Sequence, residues 1–570
     1  MTSLAIAPGL YFTRAPRPIE ASPLRSDVAG FIGRTRRGHV GRAVRVEEWR
    51  GFVREFGGLA RDADTTYSVR GYFENGGQIA YIVRLAEPFP SDEELKSTEE
   101  TPPDETKINA ATAQWDVGTL DPVSKEWQRD APIRGGFRRA AYLIEATSPG
   151  AWANGTRVSF RYRLGGVSGK PEIDVIVQAP DEPIAYLTGL NPAEIEAQVA
   201  SSSALIRLRP VGPEPAAVRA DAPDGRRHID YPAITLSGGV DTRPSKEEYI
   251  KAIERLNDEP EVALLATPDL YTDIEMDDDR VEILNTMIRQ AEQLRDRLVL
   301  VDVPPPDASH PREAINDVSK LMEWAEALRT TDDEGALRAA ATYHPRLWVS
   351  DPLGDIATPL RSVPPSGHVA GLISFMDRQR GAHHTPANAE LFEAVDIAVG
   401  YEEAERALLN ASGINLLRCF PGRGIQVWGG RTLLAEDINS FAPKPNLAAA
   451  SQSERSGHFI AHRRLIHRLV RAIRRVAEPL VFDTNGPELW LTFVRAITTV
   501  LLEAFRAGAL KGARPEEAFT VRCDAKTNPP EEIELGRVLC EIELAPAVPM
   551  EFILLRVALS GDGSLEVFES

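Results

Sequence analysis

The sequence predicts a multidomain α/β protein of mixed α+β character, in which an α/β core is interrupted by a β-rich module and flanked by extended N- and C-terminal arms. Three observations predict it. Residues 246–380 alternate short apolar strands with amphipathic helices, the pattern of a mainly parallel sheet covered on both faces. Between about 138 and 210 the pattern changes to period-two runs, such as Arg157–Tyr162 and Ile173–Gln178, which read as half-buried strands. Residues 1–22 carry Pro8, Pro16 and Pro18, with Pro23 just beyond, and prolines so spaced forbid a helix.

Taken in order, the arm 1–22 contains the apolar piece Leu4–Thr13, whose Leu4, Ile6, Leu10, Tyr11 and Phe12 can pair as a strand. Residues 23–86 form the first part of the core. They read as strand Val28–Arg34, helix Val46–Phe56 closed by Gly57-Gly58, helix Thr65–Glu74 and strand Gln78–Leu85. Residues 87–231 are the inserted module, opening on an acidic, Pro-rich stretch (87–110) and closing on a Pro- and Ala-rich linker (211–231). The second part of the core spans 232–400. It holds helix Lys246–Leu256, strand Val262–Thr267, helix Asp279–Arg295, strand Leu298–Val303, helix 312–329, strand Arg346–Ser350 and helix 367–379. In Asp279–Arg295 the positions Leu284, Met287, Ile288, Ala291 and Leu294 keep the 3.6-residue period. A helix over 389–410 leads into a C-terminal domain, 401–559, with helices 459–477 and Pro487–Ala507 and strands Arg537–Leu544 and Glu551–Leu559. Pro at the start and Gly508 after the end mark the second helix. The loop Gly561–Ser564 then releases the arm 560–570, in which Leu565, Val567 and Phe568 lie in a short alternating run.

Bulk composition narrows the function classes. A chain of 570 residues implies about three domains of roughly 100–200 residues each. The net charge of −19 repels nucleic acid and anionic membranes, so no nucleic-acid partner is expected. Cys419, Cys523 and Cys540 are odd in number and lack CxxC spacing, which argues against a disulfide or zinc framework and fits a reducing compartment. The N-terminus does not read as a signal peptide, and no run of 18 apolar residues occurs, so no membrane insertion is expected.

Gly-rich stretches with arginines often hold phosphate, and GINLLRCFPGRGIQVWGGRTLL (413–434) is one. Its glycines lack phosphate-loop spacing, and no Lys-Ser/Thr pair follows. The better reading is a folded connector. Gly422, Gly424, Gly429 and Gly430 permit tight turns, Ile425, Val427 and Trp428 fill a core, and Arg418, Arg423 and Arg431 hold neighbouring carbonyls or carboxylates, with Gly413 and Asn415 part of the same connector. GGVSGKP (165–171) lacks the Walker spacing, and GxGxxG, GxSxG and HExxH are absent. His458, His462 and His467 share a helix, but arginines surround them, so neither a metal nor any other cofactor is expected. Asp302 and Asp351 fall near strand ends, where a small-molecule enzyme of Rossmann type would hold its polar cluster. No partner for either is visible in the sequence, and no enzymatic activity is expected.

Several segments together resemble the contractile tail sheath proteins of bacteriophages and related injection systems. They include PGLYFTRAPRPIEASPLRSDVAGFIGRTRRGHV (8–40), YSVRGYFENGGQIAYIVRL (67–85), VPPSGHVAG (363–371), LLNASGINLLRCFPGRGIQVWGGRTL (408–433), FDTNGPELW (482–490), GALKGARPEEAFTVRCD (508–524) and GRVLCEIELAPAVPMEFILLRV (536–557). The middle resembles the family more weakly, through SPGAWANGTRV (148–158) and LSGGVD (236–241). The chain departs from the family at WGGRTL, usually WGARTL, at FDTN, usually FEPN, and in a Pro/Ser/Ala-rich insertion over 435–457.

The resemblance implies a structural subunit that polymerises as a helical tube, in stacked six-fold rings, around an inner tube protein and contracts to drive it through an envelope. It also implies baseplate and terminator or cap proteins as partners. Assembly would take place in the bacterial cytoplasm, and the product would be a phage tail or a released particle. An adaptor at the baseplate or tail end with a sheath-like domain is the alternative. Both arms are expected to add strands to neighbouring subunits, through Leu4, Ile6, Leu10, Tyr11 and Phe12 at one end and Leu565, Val567 and Phe568 at the other. On their residues alone they could equally fold onto their own domain. The inserted module is expected to face outwards. Helix 459–477 is the most basic segment, with Arg464, His467, Arg468, Arg471 and Arg475 largely off its apolar stripe. Its charges could be solvated or paired within the domain. With the C-terminal domain innermost, as the resemblance implies, they are expected to contact the inner tube.

Overall fold

The computed structural model describes residues 25–86, 111–116, 119–120, 127–128, 141–163, 172–192, 194–211, 228–230, 233–307, 309–329, 334–434, 457–480, 483–547, 553–559 and 565–569. Leu4, Ile6, Leu10, Tyr11 and Phe12, the acidic stretch 87–110 and residues 435–456 of the insertion lie outside the described residues. The chain divides into two compact units.

The larger unit covers residues 26–379 and 385–442. Its strands are Val28–Gly33 (β1), Val44–Val46 (β2), Ile79–Arg84 (β3), Leu264–Ala266 (β4), Leu298–Val301 (β5), Ala340–His344 (β6), Glu390–Leu391 (β7), Ile414–Phe420 (β8) and Gly424–Trp428 (β9). They form one nine-stranded sheet in the order β7-β9-β8-β6-β5-β4-β1-β3-β2. Every pairing from β3 across to β8 is parallel, while β2, β9 and β7 pair antiparallel at the margins. All residues of β1, β3, β4, β5 and β6 are buried, as parallel strands with helices on both faces must be.

Helices Asp64–Glu74 (α1), Asp277–Leu294 (α2) and Ser366–Arg380 (α3) belong to these covering layers. The α2 stripe of Leu284, Met287, Ile288 and Ala291 shares one core with Val28 and Ile32 of β1. Helices α1 and α3 pack closely through their glycines: a Cβ on Gly71 would lie 2.3 Å from the His368 ring, and one on Gly367 would lie 2.2 Å from the Ser68 carbonyl oxygen.

Within the inserted module, strands Ala185–Leu190, Glu172–Gln178, Arg157–Arg163 and His228–Asp230 pair antiparallel in that order, with Ile234–Thr235 also on Arg157–Arg163. A second antiparallel sheet joins Ile206–Val211, Ala141–Ala146 and Thr112–Asp116. Ile144, Phe160, Val175 and Ile206 share the module's own core.

The smaller unit contains helices Ile460–Ala477 (α4) and Pro487–Arg506 (α5). Its sheet is antiparallel, Phe519–Arg522 (β10), Val538–Leu544 (β11), Ile553–Leu559 (β12) and Leu565–Glu569 (β13), paired in that order. Ile466 and Ile473 of α4, Phe493 and Ile497 of α5 and Cys540 and Ile542 of β11 are fully buried together.

Three expectations are corrected. The expected parallel strand Arg346–Ser350 is Leu347–Ser350, which joins Leu360–Val363 and Ala394–Ile397 in a separate antiparallel sheet. The parallel strand at this place is β6, whose sequence AATYH lacks a Val/Ile run. The expected helix 389–410 exists only as Glu403–Ala411. Residues before it form β7 and Ala394–Ile397, with Asn388 and Glu393 at positive φ (56° and 61°), which a helix does not accommodate. The boundary expected at residue 400 moves to 442, because β8 and β9 extend the central sheet.

Candidate functional site

The strand order of the central sheet reverses at β1, with β3 on one side and β4 on the other. An α/β protein places its ligand in the crevice at the carboxyl ends of such strands. Here the chain's own charges line the crevice, beside a cavity of about 330 Å³ bordered by Arg34, Asp62, Arg84 and Asp241 among others. Asp269, just beyond β4, accepts hydrogen bonds from the backbone N–H of Arg34 (2.8 Å), Asp64 (2.5 Å) and Thr65 (3.1 Å). It thus occupies the N-terminus of α1, the position a bound anion would otherwise take. Arg34, next after β1, pairs through Nε with Asp273 at 2.6 Å. Asp64 pairs with Arg346 (2.9 Å) and Arg361 (2.6 Å), and Arg361 lies 4.2 Å over the Tyr67 ring.

The electrostatics follow from this packing. Burial pushes the Asp64 carboxyl up, but Arg346 and Arg361 together outweigh it and hold the group below the usual carboxylate range. Asp269 has less help: burial raises it, with Arg34 only partly opposing. Gly33 closes the arrangement, since a Cβ there would overlap Thr65 Oγ1 at 2.0 Å. The two aspartates singled out from the sequence are also engaged. Asp302 is buried, accepts from the Ser366 N–H (3.2 Å) and Oγ (2.7 Å) at the start of α3, and is pushed up to about 6 by burial. Asp351 accepts from Tyr67 Oη at 2.5 Å and the Leu353 N–H at 2.9 Å. Such an arrangement fixes a rigid body.

The stretch 413–434 is the β8–β9 hairpin. Gly413, Gly422 and Gly424 have φ of 78°, 76° and 69°, as turn positions require. Asn415 is buried: its Nδ2 donates to the carbonyls of Thr342 (3.0 Å) and Arg431 (2.7 Å), and its Oδ1 accepts from the Arg431 N–H (2.8 Å). This stitches the hairpin to β6. The Arg423 N–H donates to the Phe420 carbonyl across the turn. Ile425 and Val427 fill the core, whereas Trp428 is 44% exposed. The expectation that Trp428 fills the core is corrected: it lies on the outer face, where the Arg418 guanidinium sits 4.6 Å from the Phe420 ring and 4.9 Å from the Trp428 ring. A cavity of about 550 Å³ lies beside them, lined by Glu403, Arg406, Asn410, Leu416, Arg418 and Trp428 among others.

In the smaller unit, Leu565–Glu569 forms β13, antiparallel to β12, with Val567 opposite Val557 and Leu565 opposite Leu559. Among the described residues β13 pairs on one side only, as does β10 at the opposite edge. Helix α4 does not present its cations as one solvent face. Arg464, His467 and Arg471 are buried, Arg468 is half-buried, and Arg475 is exposed. The reason is a wide apolar stripe, Leu465, Ile466, Leu469, Val470, Ile473 and Val476, which draws the helix almost wholly inside. Arg471 Nη1 donates to the Arg25 carbonyl at 2.7 Å. Among the described residues no group of three metal-ligating side chains converges.

Sequence reasoning missed the ion network at the switch point. Its pairs join residues 204 to 297 apart in the sequence, and no local pattern signals such a pairing.

The family model of the phage tail sheath protein central domain matches residues 244–433, a span that opens just before the helix preceding β4 and closes just after β9. The tail sheath protein of Vibrio phage KVP40 is 25% identical over 349 residues, covering 58% of this chain and 47% of that protein. The chain therefore spans about half the length of the curated relative it matches. Among solved structures, the sheath tail protein of Listeria innocua superposes with a TM-score of 0.59 at 12% identity, covering 94% of this chain and 96% of that one. The helical sheath of the anti-feeding prophage in its contracted state gives 0.51 at 18% identity, covering 97% and 98%. These structural likenesses establish the fold. With the family model and the phage relative, they lead to one conclusion: residues 244–433 match the phage tail sheath protein central domain, within a fold shared with solved sheath proteins over nearly the whole chain.

Proposed function

We propose that the chain is the sheath subunit of a contractile injection machine, polymerising into a helical tube around an inner tube and shortening to drive that tube forward. The observation that carries the reading is that the sheath central domain match (244–433) takes in strands β4 to β9 of the central sheet, within a fold shared over nearly the whole chain. The ion network at the strand ends fits a structural role, because Asp269 caps the α1 N-terminus at the place where a ligand anion would otherwise bind.

A helical polymer needs contacts that do not close into a dimer and that survive rotation of near-rigid subunits. Strand β13 suits this. It is an edge strand joined to β12 through residues 560–564, and the same strand of a second copy can replace it with main-chain hydrogen bonds unchanged. Leu565, Val567 and Phe568 would carry that exchange, and Leu4, Ile6, Leu10, Tyr11 and Phe12 its N-terminal counterpart. Toward an acidic inner tube, α4 offers Arg468 and Arg475; Arg464, His467 and Arg471 support the helix from within. The central machinery draws on assembly itself for energy, each subunit gaining apolar burial on contraction at roughly 25 cal/mol per Å².

Negative-stain microscopy of the purified full chain tests the reading. Tubes are expected. Monodisperse monomers at every concentration would overturn it, and closed rings that never stack would favour a baseplate or terminator adaptor. Deletion of residues 560–570 is expected to abolish tubes while leaving the monomer folded. Charge reversal at Arg468 and Arg475 is expected to leave the monomer and its tubes intact while weakening co-assembly with an inner tube.

A further inference from the structure

The smaller unit holds a feature that neither the sheath reading nor the sequence motifs use. In the β10–β11 ladder Phe519 faces Leu544 and Arg522 faces Glu541, so the same register sets Cys523 opposite Cys540, one step beyond β10. The Ala545 N–H donates to the Ala518 carbonyl at 2.8 Å, which makes 518/545 a hydrogen-bonded pair. Pairs alternate along an antiparallel ladder, so 523/540 is of the non-hydrogen-bonded kind. There the Cα atoms stand about 4.5 Å apart with side chains closest, inside the range a disulfide can span.

The surroundings fix this geometry. Asn528 takes the place of the next strand residue: its Nδ2 donates to the Leu539 carbonyl (3.0 Å) and its Oδ1 accepts from the Leu539 N–H (2.6 Å). The same Nδ2 donates to Cys523 Sγ at 3.6 Å. The two thiols are not equivalent: Cys523 is half-buried, whereas Cys540 lies in the core. The neighbouring Cys540 thiol and the Asn528 amide draw the Cys523 thiol down, while the neighbouring Cys523 and burial push the Cys540 thiol up.

We propose that Cys523 and Cys540 form a peroxide-responsive dithiol that closes into a cross-strand disulfide within one chain. The Cys523 thiolate attacks one oxygen of hydrogen peroxide; the O–O bond breaks, a sulfenic acid forms, and hydroxide leaves to take up a proton as water. Cys540 then attacks the Cys523 sulfur, the S–O bond breaks, and the departing hydroxide takes the Cys540 proton as a second water. The thiols lose two electrons in all and the peroxide gains them. The bond ties the edge strand β10 to β11 and closes the loop 524–539, so the oxidised chain carries a stapled sheet edge.

The exposed third thiol is removed first, in C419S. The full C419S chain is treated with hydrogen peroxide, quenched, denatured and alkylated. Two titratable thiols per chain are expected before treatment and none after, with a mass loss of two hydrogens, a linked peptide containing both positions, and recovery by dithiothreitol. C419S/C523S is expected to keep its single thiol under the same treatment. Serine at 540 would leave a hydroxyl in the core, so C523S rather than C540S is the deciding variant. Two thiols surviving in C419S, sulfinic acid at Cys523 with Cys540 still titratable, or a cross-link joining two chains would each overturn the proposal.

Discussion

The two sheets solve the problem of their edges differently. The central sheet ends in β2 and β7, of three and two residues, each paired antiparallel with its one neighbour in the sheet. Such short margins offer little ladder to a second chain. The smaller sheet ends in β10 and β13, of four and five residues. Its interior is held by side-chain packing from α4 and α5, whereas the central sheet is also clamped by ion pairs at its strand ends. The proposed sheath role uses both: one region that does not deform, and one whose last strand would be exchanged with a neighbour.

Four experiments break or sharpen this contrast. The largest effect is expected from Asp64→Ala, which leaves Arg346 and Arg361 buried without their shared carboxylate; breaking a buried pair costs about 3–5 kcal/mol. Hydrogen exchange should lose protection in β1 and β3 but not in β11. If β11 loses equally, the two regions are not separately held. The reciprocal change, Phe493→Ala, empties a fully buried ring position in the smaller unit and should cost about 3–5 kcal/mol, with exchange raised in β11 and unchanged in β1.

Acid should strike the central region next. Burial pushes His368 down to about 4, with Arg70 adding to the shift. An unfolded histidine takes a proton near 6.5, so the stability held by neutral His368 is full above that pH and is lost as pH falls toward 4. His368→Asn should therefore remove about 2 kcal/mol of the stability change between pH 7 and 5, read as urea midpoints. Asp302, raised to about 6, acts with the opposite sign over the lower part of this range, which is why the variant and not the raw pH curve is the measurement. The smallest effect is expected from Gly71→Ala. Overpacking against His368 costs about 1–3 kcal/mol, and the helix gains up to about 1 kcal/mol from losing glycine, leaving a net loss near 1 kcal/mol. A stabilised G71A would mean that α1 and α3 can part without penalty.

Legibility in the sequence followed the range of the interactions. Helices α2 and α5 were readable because their periodicity and terminal signals are local. Strand β6 was not, because Ala340-Ala341 become strand residues only when β5 and β8 flank them. The cations of α4 were legible as a cluster, but their burial was not, since the width of the apolar stripe shows only once α5 and the sheet close on it.

The sequence by itself determined the α/β and β-rich regions, the family resemblance and the absence of a phosphate-loop motif, since each is written in residue types at short spacing. Only the tertiary structure decided that 413–434 is a hairpin of the central sheet and that Asp269 caps the N-terminus of α1. It alone also decided that Cys523 and Cys540, which have no motif spacing, face each other across a ladder. Each of these depends on a register between segments remote in sequence, and register is set by packing and main-chain hydrogen bonds that no local window contains.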